Sequence, residues 1–322
     1  MAWRLKLVPT TTNIDFFKLQ FITFGVSVVA VIASLILVAT MGLNLGVDFR
    51  GGTTIRTEST SPVDVAVYRE ALTALDLGDV SITEVRDPSF ADDQHVALIR
   101  IGARDGEEAV TPETIQMIED AMQAVDPAIT FPAVESVGPK VSSELILKAL
   151  LAVAAGAAGI LVYVWMRFEW QFAVGTVAAL LHDVIVTVGV FALFQIRFDL
   201  AIVAALLTIL GYSVNDTVVI FDRLRENLAK YKQMPLREMM NLTANETLSR
   251  TIMTATTTFL SLLVLFIFGG DVIRGFVFAM LFGVVIGTYS TLYVAKNIVL
   301  FLGVDRGDKP KKSTNEFADV DA

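Results

Sequence analysis

The sequence predicts a polytopic α-helical membrane protein with six transmembrane helices and one α+β, ferredoxin-like domain between helices 1 and 2. Three observations carry that expectation. Hydrophobic residues make up 54% of the 322 positions, more than an ordinary soluble domain uses. Several apolar runs reach the roughly 20 residues that cross a hydrocarbon core about 30 Å thick. Between the first two runs, residues 43–140 alternate short strand-like and helix-like patterns.

The chain opens with a polar stretch, 1–18, carrying Arg4, Lys6 and Lys18. The first span follows at 19–41. Its apolar run is longer than the 7–15 residues of a signal-peptide core, roughly speaking, so it reads as an uncleaved anchor. In the 43–140 domain, 53–57 alternates like a strand. Ser61-Pro62 then suits a helix start, with Val63, Val67, Ala71 and Leu75 on one face. Residues 80–85 and 95–101 read as strands. Thr111-Pro112-Glu113 opens a second helix that buries Ile115, Ile118 and Met122, and 130–137 closes with a strand. The order β-α-β-β-α-β is that of a split βαβ sandwich.

After Gly138-Pro139-Lys140 come spans at 145–164, 172–194, 200–221, 251–268 and 275–302. Short connections make neighbours antiparallel, and spans four and five, also antiparallel, are joined by the longer polar segment 222–249. Basic residues near span ends set orientation. Arg4, Lys6 and Lys18 precede the first span. Arg223, Arg225, Lys230, Lys232 and Arg237 lie in 222–249, and Arg306, Lys309, Lys311 and Lys312 in the tail, 303–322. The opposite loops offer Arg197 and Arg274. Both termini are therefore expected in the cytoplasm and 43–140 outside.

Net charge is −9, with most acid in 43–140, which disfavours nucleic acid. Cysteine is absent, so disulfides, thiolate catalysis and cysteine metal sites are excluded. There is no HExxH metal motif and no GxSxG elbow. No Gly-x-Gly-Asp surrounds either intramembrane aspartate. The chain is not expected to be an enzyme, and no cofactor or metal is implied.

The chemistry concentrates in the fourth span, where Ser213, Asn215, Asp216 and Thr217 interrupt an apolar run. A carboxylate at membrane depth costs at least a few kcal/mol unless paired, hydrated or protonated. Asp216 lies about 16 residues past Leu200, or roughly 24 Å along its helix. Arg250, about 19 residues before Gly269, falls at a similar depth, roughly 28 Å, on the next span. Thr254, Thr256, Thr257 and Thr258 add hydroxyls to that lining. Burial favours the neutral carboxyl and a close guanidinium favours the carboxylate, so separating the pair would change whether a cation is held. The alternative is a static structural ion pair. His182 and Asp183 form a weaker candidate at mid-span. Adjacent helical residues point about 100° apart, so they are not expected to pair with each other. Asp183 is expected to hydrogen-bond a neighbouring helix and His182 to pack. Gly283 and Gly287, a small-xxx-small face, and Gly156 and Gly159 are expected to serve helix packing. Asp48-Phe49-Arg50-Gly51-Gly52-Thr53 suits a tight glycine turn anchoring the outer domain.

In order along the chain stand Leu45-Gly46-Val47-Asp48-Phe49-Arg50-Gly51-Gly52-Thr53, Val137-Gly138-Pro139, Leu181-His182-Asp183, Gly211-Tyr212-Ser213-Val214-Asn215-Asp216-Thr217-Val218-Val219-Ile220-Phe221-Asp222-Arg223, Thr247-Leu248-Ser249-Arg250-Thr251 and Gly287-Thr288-Tyr289-Ser290. On these motifs the chain closely resembles the SecF family of the bacterial Sec protein-export machinery, within the resistance-nodulation-division superfamily. That family often has a glycine where Ser142-Ser143 stand here. The resemblance implies a bacterial inner-membrane protein with 43–140 in the periplasm, a SecD partner with six further spans and use of the proton motive force to pull preproteins from the SecYEG channel. YajC and YidC are implied as further partners beside membrane lipid. It also implies a proton pathway through Asp216 and Arg250. The coupling ion, H⁺ or Na⁺, is left open. A small-molecule or lipid exporter subunit of the same superfamily is the alternative, and a non-transporting scaffold a third reading.

Overall fold

Six helices are long and apolar enough to cross a membrane among the residues described, which are 9, 12–78, 80–85, 90–91, 93–102 and 110–304 of a computed structural model. Arg4, Lys6, Arg306, Lys309, Lys311 and Lys312 lie outside them. The long helices are α1 (Gln20–Met41), α5 (Pro139–Arg167), α6 (Trp170–Phe194), α7 (Leu200–Lys230) and α8 (Leu236–Phe268). The sixth span is composite: α9 (Asp271–Ser290), a π-helical turn (Thr291–Ala295) and α10 (Lys296–Leu302). The polar segment 222–249 is mostly helix, because α7 and α8 run on past the apolar stretches. Arg223 holds the extensions together, bonding Glu226 at 2.6 Å on its own helix and Glu246 at 2.8 Å on α8. Asn227, buried beneath them, donates to the Thr243 hydroxyl at 3.0 Å.

The sheet domain comprises α2 (Val47–Arg50), β1 (Gly52–Ser59), α3 (Val65–Thr73), β2 (Val80–Val85), β3 (His95–Gly102), α4 (Pro112–Val125) and β4 (Thr130–Val137). Its sheet order is β2-β3-β1-β4 with every neighbouring pair antiparallel. Alternation on β1 buries Thr53, Ile55, Thr57 and Ser59, as period-2 geometry requires. Thr111 caps α4 as expected, its hydroxyl accepting the Thr114 N–H, and Ile118 and Met122 are buried.

The expected start of α3 is corrected. The helix begins at Val65, not at Ser61-Pro62, because Asp64 Oδ1 accepts the Ala66 and Val67 N–H groups at 3.0 and 3.2 Å. That satisfies two of the donors a helix start leaves orphaned. The core face is set accordingly by Tyr68 and Leu72, both buried, while Val67 is 39% exposed. Tyr68 donates its hydroxyl to Asp126 Oδ2 at 2.9 Å.

The glycine turn seats this domain on the bundle. Gly51 and Gly52 adopt φ of 77° and 132°, conformations that only glycine takes without strain. Just before them, Asp48 Oδ2 accepts the Leu200 N–H at 3.0 Å, at the first turn of α7. Gly46 N–H reaches Phe198 O, and Phe198 N–H reaches Asn44 O, both at 2.8 Å. The domain is thereby stitched to the α6–α7 turn. At the opposite end, residues 12–18 lie along α8. Ile14 N–H donates to Asn245 Oδ1, and Asn245 Nδ2 donates back to Ile14 O, each at 2.8 Å.

Small residues set the approach of the helices. A side chain at Gly283 would run into Ile209, and one at Gly287 would lie 3.1 Å from Ser213 Cβ. Gly156 faces Leu207, whereas Gly159 has no neighbour within 4 Å among the described residues. Ser142, where the family often has glycine, sits inside an unbroken α5 and is buried.

Candidate ion pathway in the helix bundle

The buried stripe of α7 runs Ile202, Ala205, Ile209, Ser213, Asp216, Thr217 and Ile220. This is an apolar helical face carrying three polar residues near its middle, and the bundle resolves them into two clusters.

The first cluster gathers on Asp183, which is 0% exposed on α6. Asp183 Oδ2 accepts the Ser213 hydroxyl of α7 at 2.7 Å and the Ser290 hydroxyl of α9 at 2.8 Å. The interhelical bonding expected of Asp183 is thus present, to two helices at once. Close approach at Gly287 makes room for it, since Asp183 Oδ2 and Ser213 both lie against that glycine. One expectation is corrected: His182 and Asp183 do meet, with Nδ1 3.0 Å from Oδ1. Their Cβ directions diverge, but both side chains bend into the same space along the helix. His182 Nε2 is buried without a hydrogen-bond partner, and its ring lies 6.3 Å from that of Tyr289. Tyr289 donates to Thr23 O at 2.7 Å, which brings α1 into the same region. One turn further, the Thr217 and Thr291 hydroxyls share a hydrogen bond of 2.8 Å.

Asp216 forms the second cluster, on the side of α7 that meets α8. It is 4% exposed, and its Oδ2 is buried with no hydrogen-bond partner. Thr254 lies beside its carboxyl, and Arg250 is within electrostatic reach. Among the described residues there is no ion pair within 4 Å between Asp216 and Arg250. Arg250 is exposed on the outside of this single chain, as are Asn215 and Gly211. Thr251 Oγ1 is a further buried polar atom here without a partner, and Tyr212 OH lies beside Thr254 and Thr258. An unpaired carboxylate oxygen and an idle hydroxyl in one neighbourhood carry a desolvation cost of about 1–3 kcal/mol each. Arrangements with that cost gather at functional sites more than in inert scaffolds.

Of the residues singled out from sequence, the structure therefore joins Asp183, His182 and Ser213 in one network and leaves Asp216 facing α8 in another. Ser213 serves Asp183, Thr217 serves Thr291, and Asn215 faces outward. The sequence reading passed over Lys296, which is 1% exposed on α10, with Nζ lying 4.7 and 4.2 Å from the Phe16 and Phe17 ring centres. A lone lysine within an apolar run was the signal available for it.

Comparison with known proteins places this architecture. Residues 117–305 match the family model described as protein export membrane protein SecD/SecF, C-terminal, and 36–63 match the SecD/SecF GG motif. The chain is 68% identical to the protein translocase subunit SecF of Cereibacter sphaeroides, with 100% of both chains covered. It is 38% identical to the protein translocase subunit SecDF of Brucella abortus, covering 96% of this chain and 39% of that one. A crystal structure of SecDF from Thermus thermophilus, titled a translocon-associated membrane protein, superposes with a TM-score of 0.80 at 32% identity. That match covers 92% of this chain and 39% of the SecDF chain, so the present chain spans about two fifths of the fused protein. The six-helix bundle with its inserted sheet domain is a multi-pass protein of the bacterial inner membrane, and the chain belongs to the SecF family of protein translocase subunits.

Proposed function

We propose that this chain is one half of an ion-driven export motor, in which Asp216 gains and loses a cation as α7 and α8 shift against each other. The observation that carries this reading is the buried, partnerless Oδ2 of Asp216 within reach of an exposed Arg250. A cation on Asp216 lifts the desolvation cost, and an approaching Arg250 lifts it in another way. The two therefore compete. By linkage, an ion gradient that loads and unloads the carboxyl biases the helix arrangement, and that arrangement biases loading in return.

The exposed Arg250 and Asn215 suit a partner helix bundle laid over this face. Fusion of a like chain into SecDF proteins favours a SecD-type partner. Both termini and the α7–α8 extensions then lie in the cytoplasm and 43–140 in the periplasm, following the basic residues. The outer domain acts on the preprotein emerging from SecYEG, with YajC and YidC as accessory neighbours. The subunit catalyses no covalent reaction.

The test is complementation of a strain depleted of its SecF-type subunit. Asp216→Asn and Arg250→Met should insert and accumulate normally yet leave preprotein export at the depleted level. Full export from either variant, at matched abundance, overturns the reading. Running the assay with Na⁺ replaced by K⁺ separates a sodium-driven from a proton-driven cycle.

A further inference from the structure

Between the outer domain and the bundle lies a cleft of about 750 Å³, within the roughly 300–1,000 Å³ of small-ligand pockets. One wall is the helix-free face of the sheet, including Arg56 and Arg100. The other is the α6–α7 turn with Arg197, and the start of α9 with Val272, Phe276 and Phe278. The Nε–H donors of Arg56, Arg100 and Arg197 are all buried, and none has a hydrogen-bond partner. A buried donor without an acceptor costs about 1–3 kcal/mol, and here three of them border one space.

None of the carboxylates nearby accepts from these three Nε donors. Glu58 takes Arg56 Nη2 at 2.7 Å and leaves Nε idle. Asp48 accepts the Leu200 N–H. Asp199 caps Ile202 at 3.3 Å and comes within 3.9 Å of Arg197 Nε, too far for a hydrogen bond. Glu135 lines the same cleft. Arg100 is pushed down to about 10, first by burial and then by Arg197, with Asp199 opposing. Two like charges are therefore held together, with Asp199 offsetting them only in part. The cleft is also greasy on the bundle side: Phe266, Phe276 and Phe278 line it, and Phe268 and Val272 at the α8–α9 turn are 66% and 72% exposed. That turn joins two apolar spans, so its exposed side chains sit where a bilayer's outer surface would be.

We propose that this cleft binds an anionic phospholipid, its phosphate held by the Arg56, Arg100 and Arg197 guanidinium groups and its acyl chains lying along the α8–α9 turn. Guanidinium groups match phosphate oxygens through Nε, with Nη completing a bidentate fork where it is not already bonded, as Arg56 Nη2 is to Glu58; a phosphate accounts for three idle Nε donors at one place. A free phosphate satisfies the arginines but not the phenylalanine wall. Occupancy would tie the outer domain to the membrane surface, whatever ion the bundle carries.

The test uses the purified full-length chain in detergent and native mass spectrometry with dioleoyl phosphatidylglycerol or dioleoyl phosphatidylcholine. Phosphatidylglycerol should be retained at least about tenfold more tightly. Arg100→Lys with Arg197→Lys keeps the charge but removes the Nε donors, and should bring retention down to the phosphatidylcholine level. Equal retention of the two lipids, or undiminished binding by the lysine variant, overturns the proposal. So does full displacement of the lipid by millimolar inorganic phosphate, which would assign the site to a free anion. A second measurement spares the fold: phosphatidylglycerol with a photoreactive acyl chain should label residues 266–278 of the unsubstituted chain. Labelling confined to other helices, or abolished when a SecD-type partner is bound, overturns it equally.

Discussion

Asp183→Leu removes the acceptor on which three helices converge. Ser213 loses its 2.7 Å bond and Ser290 its 2.8 Å bond, while His182 Nδ1 loses its contact at 3.0 Å. Ser290 keeps a fallback, since its hydroxyl also reaches Gly287 O at 3.1 Å. Ser213 and His182 have none of comparable quality. Interhelical hydrogen bonds within membranes average about 0.6 kcal/mol and reach about 1.7, and a stranded buried donor adds about 1–3. The expected loss is about 2–4 kcal/mol. Asp183→Asn keeps the shape and one carbonyl oxygen, so it should lose about 1 kcal/mol or less. Reversible unfolding in mixed micelles measures both variants. A double-mutant cycle with Ser213→Ala should show a coupling of about 0.5–1.5 kcal/mol. A leucine variant within about 0.5 kcal/mol of the parent, or strict additivity with Ser213→Ala, would refute this account of the cluster.

Two further outcomes concern the region outside the membrane. Tyr68→Phe deletes the buried hydroxyl bond to Asp126 and should lower the stability of the outer domain by about 1.5–3 kcal/mol, read by hydrogen exchange on β1 and β3; unchanged protection there would count against the bond's weight. Asp199 is held above the usual carboxyl range by burial, with Arg197 opposing. A carboxyl raised on folding contributes stability fully present below its unfolded value of about 4 and lost as pH rises through the folded value. Asp199→Asn keeps an oxygen for the Ile202 cap, so its unfolding midpoint should fall less steeply as pH rises above about 4; an unaltered slope contradicts the assignment.

Much of this architecture is legible in the chain because it rests on length and period. Apolar runs of membrane length become the six spans, and the alternation of 53–57 becomes β1. Thr111-Pro112 opens α4 because cap chemistry is local. What escaped depends on competition or distance. Asp64 outcompetes Ser61-Pro62 as a cap, and the face of α3 turns with it. His182 and Asp183 pair through side-chain torsions that Cβ directions do not encode. Ser213 reads as a companion of Asp216, three residues away on one helix, yet it bonds a carboxylate 30 residues earlier in the chain. The arginine cleft joins a sheet face to a helix turn, so no single stretch of sequence announces it. Lys296 is stacked on rings from the opposite end of the chain.

The central claim is that Asp216 carries the driving cation. Proteoliposomes holding this chain with a SecD-type partner, given an inward pH gradient and a pH-sensitive dye inside, measure it directly. The parent complex should dissipate the gradient, and Asp216→Asn should reduce that flux to the level of empty liposomes while the complex stays assembled. An Asp216→Asn complex that conducts as fast as the parent, under proton and sodium gradients alike, would contradict the account.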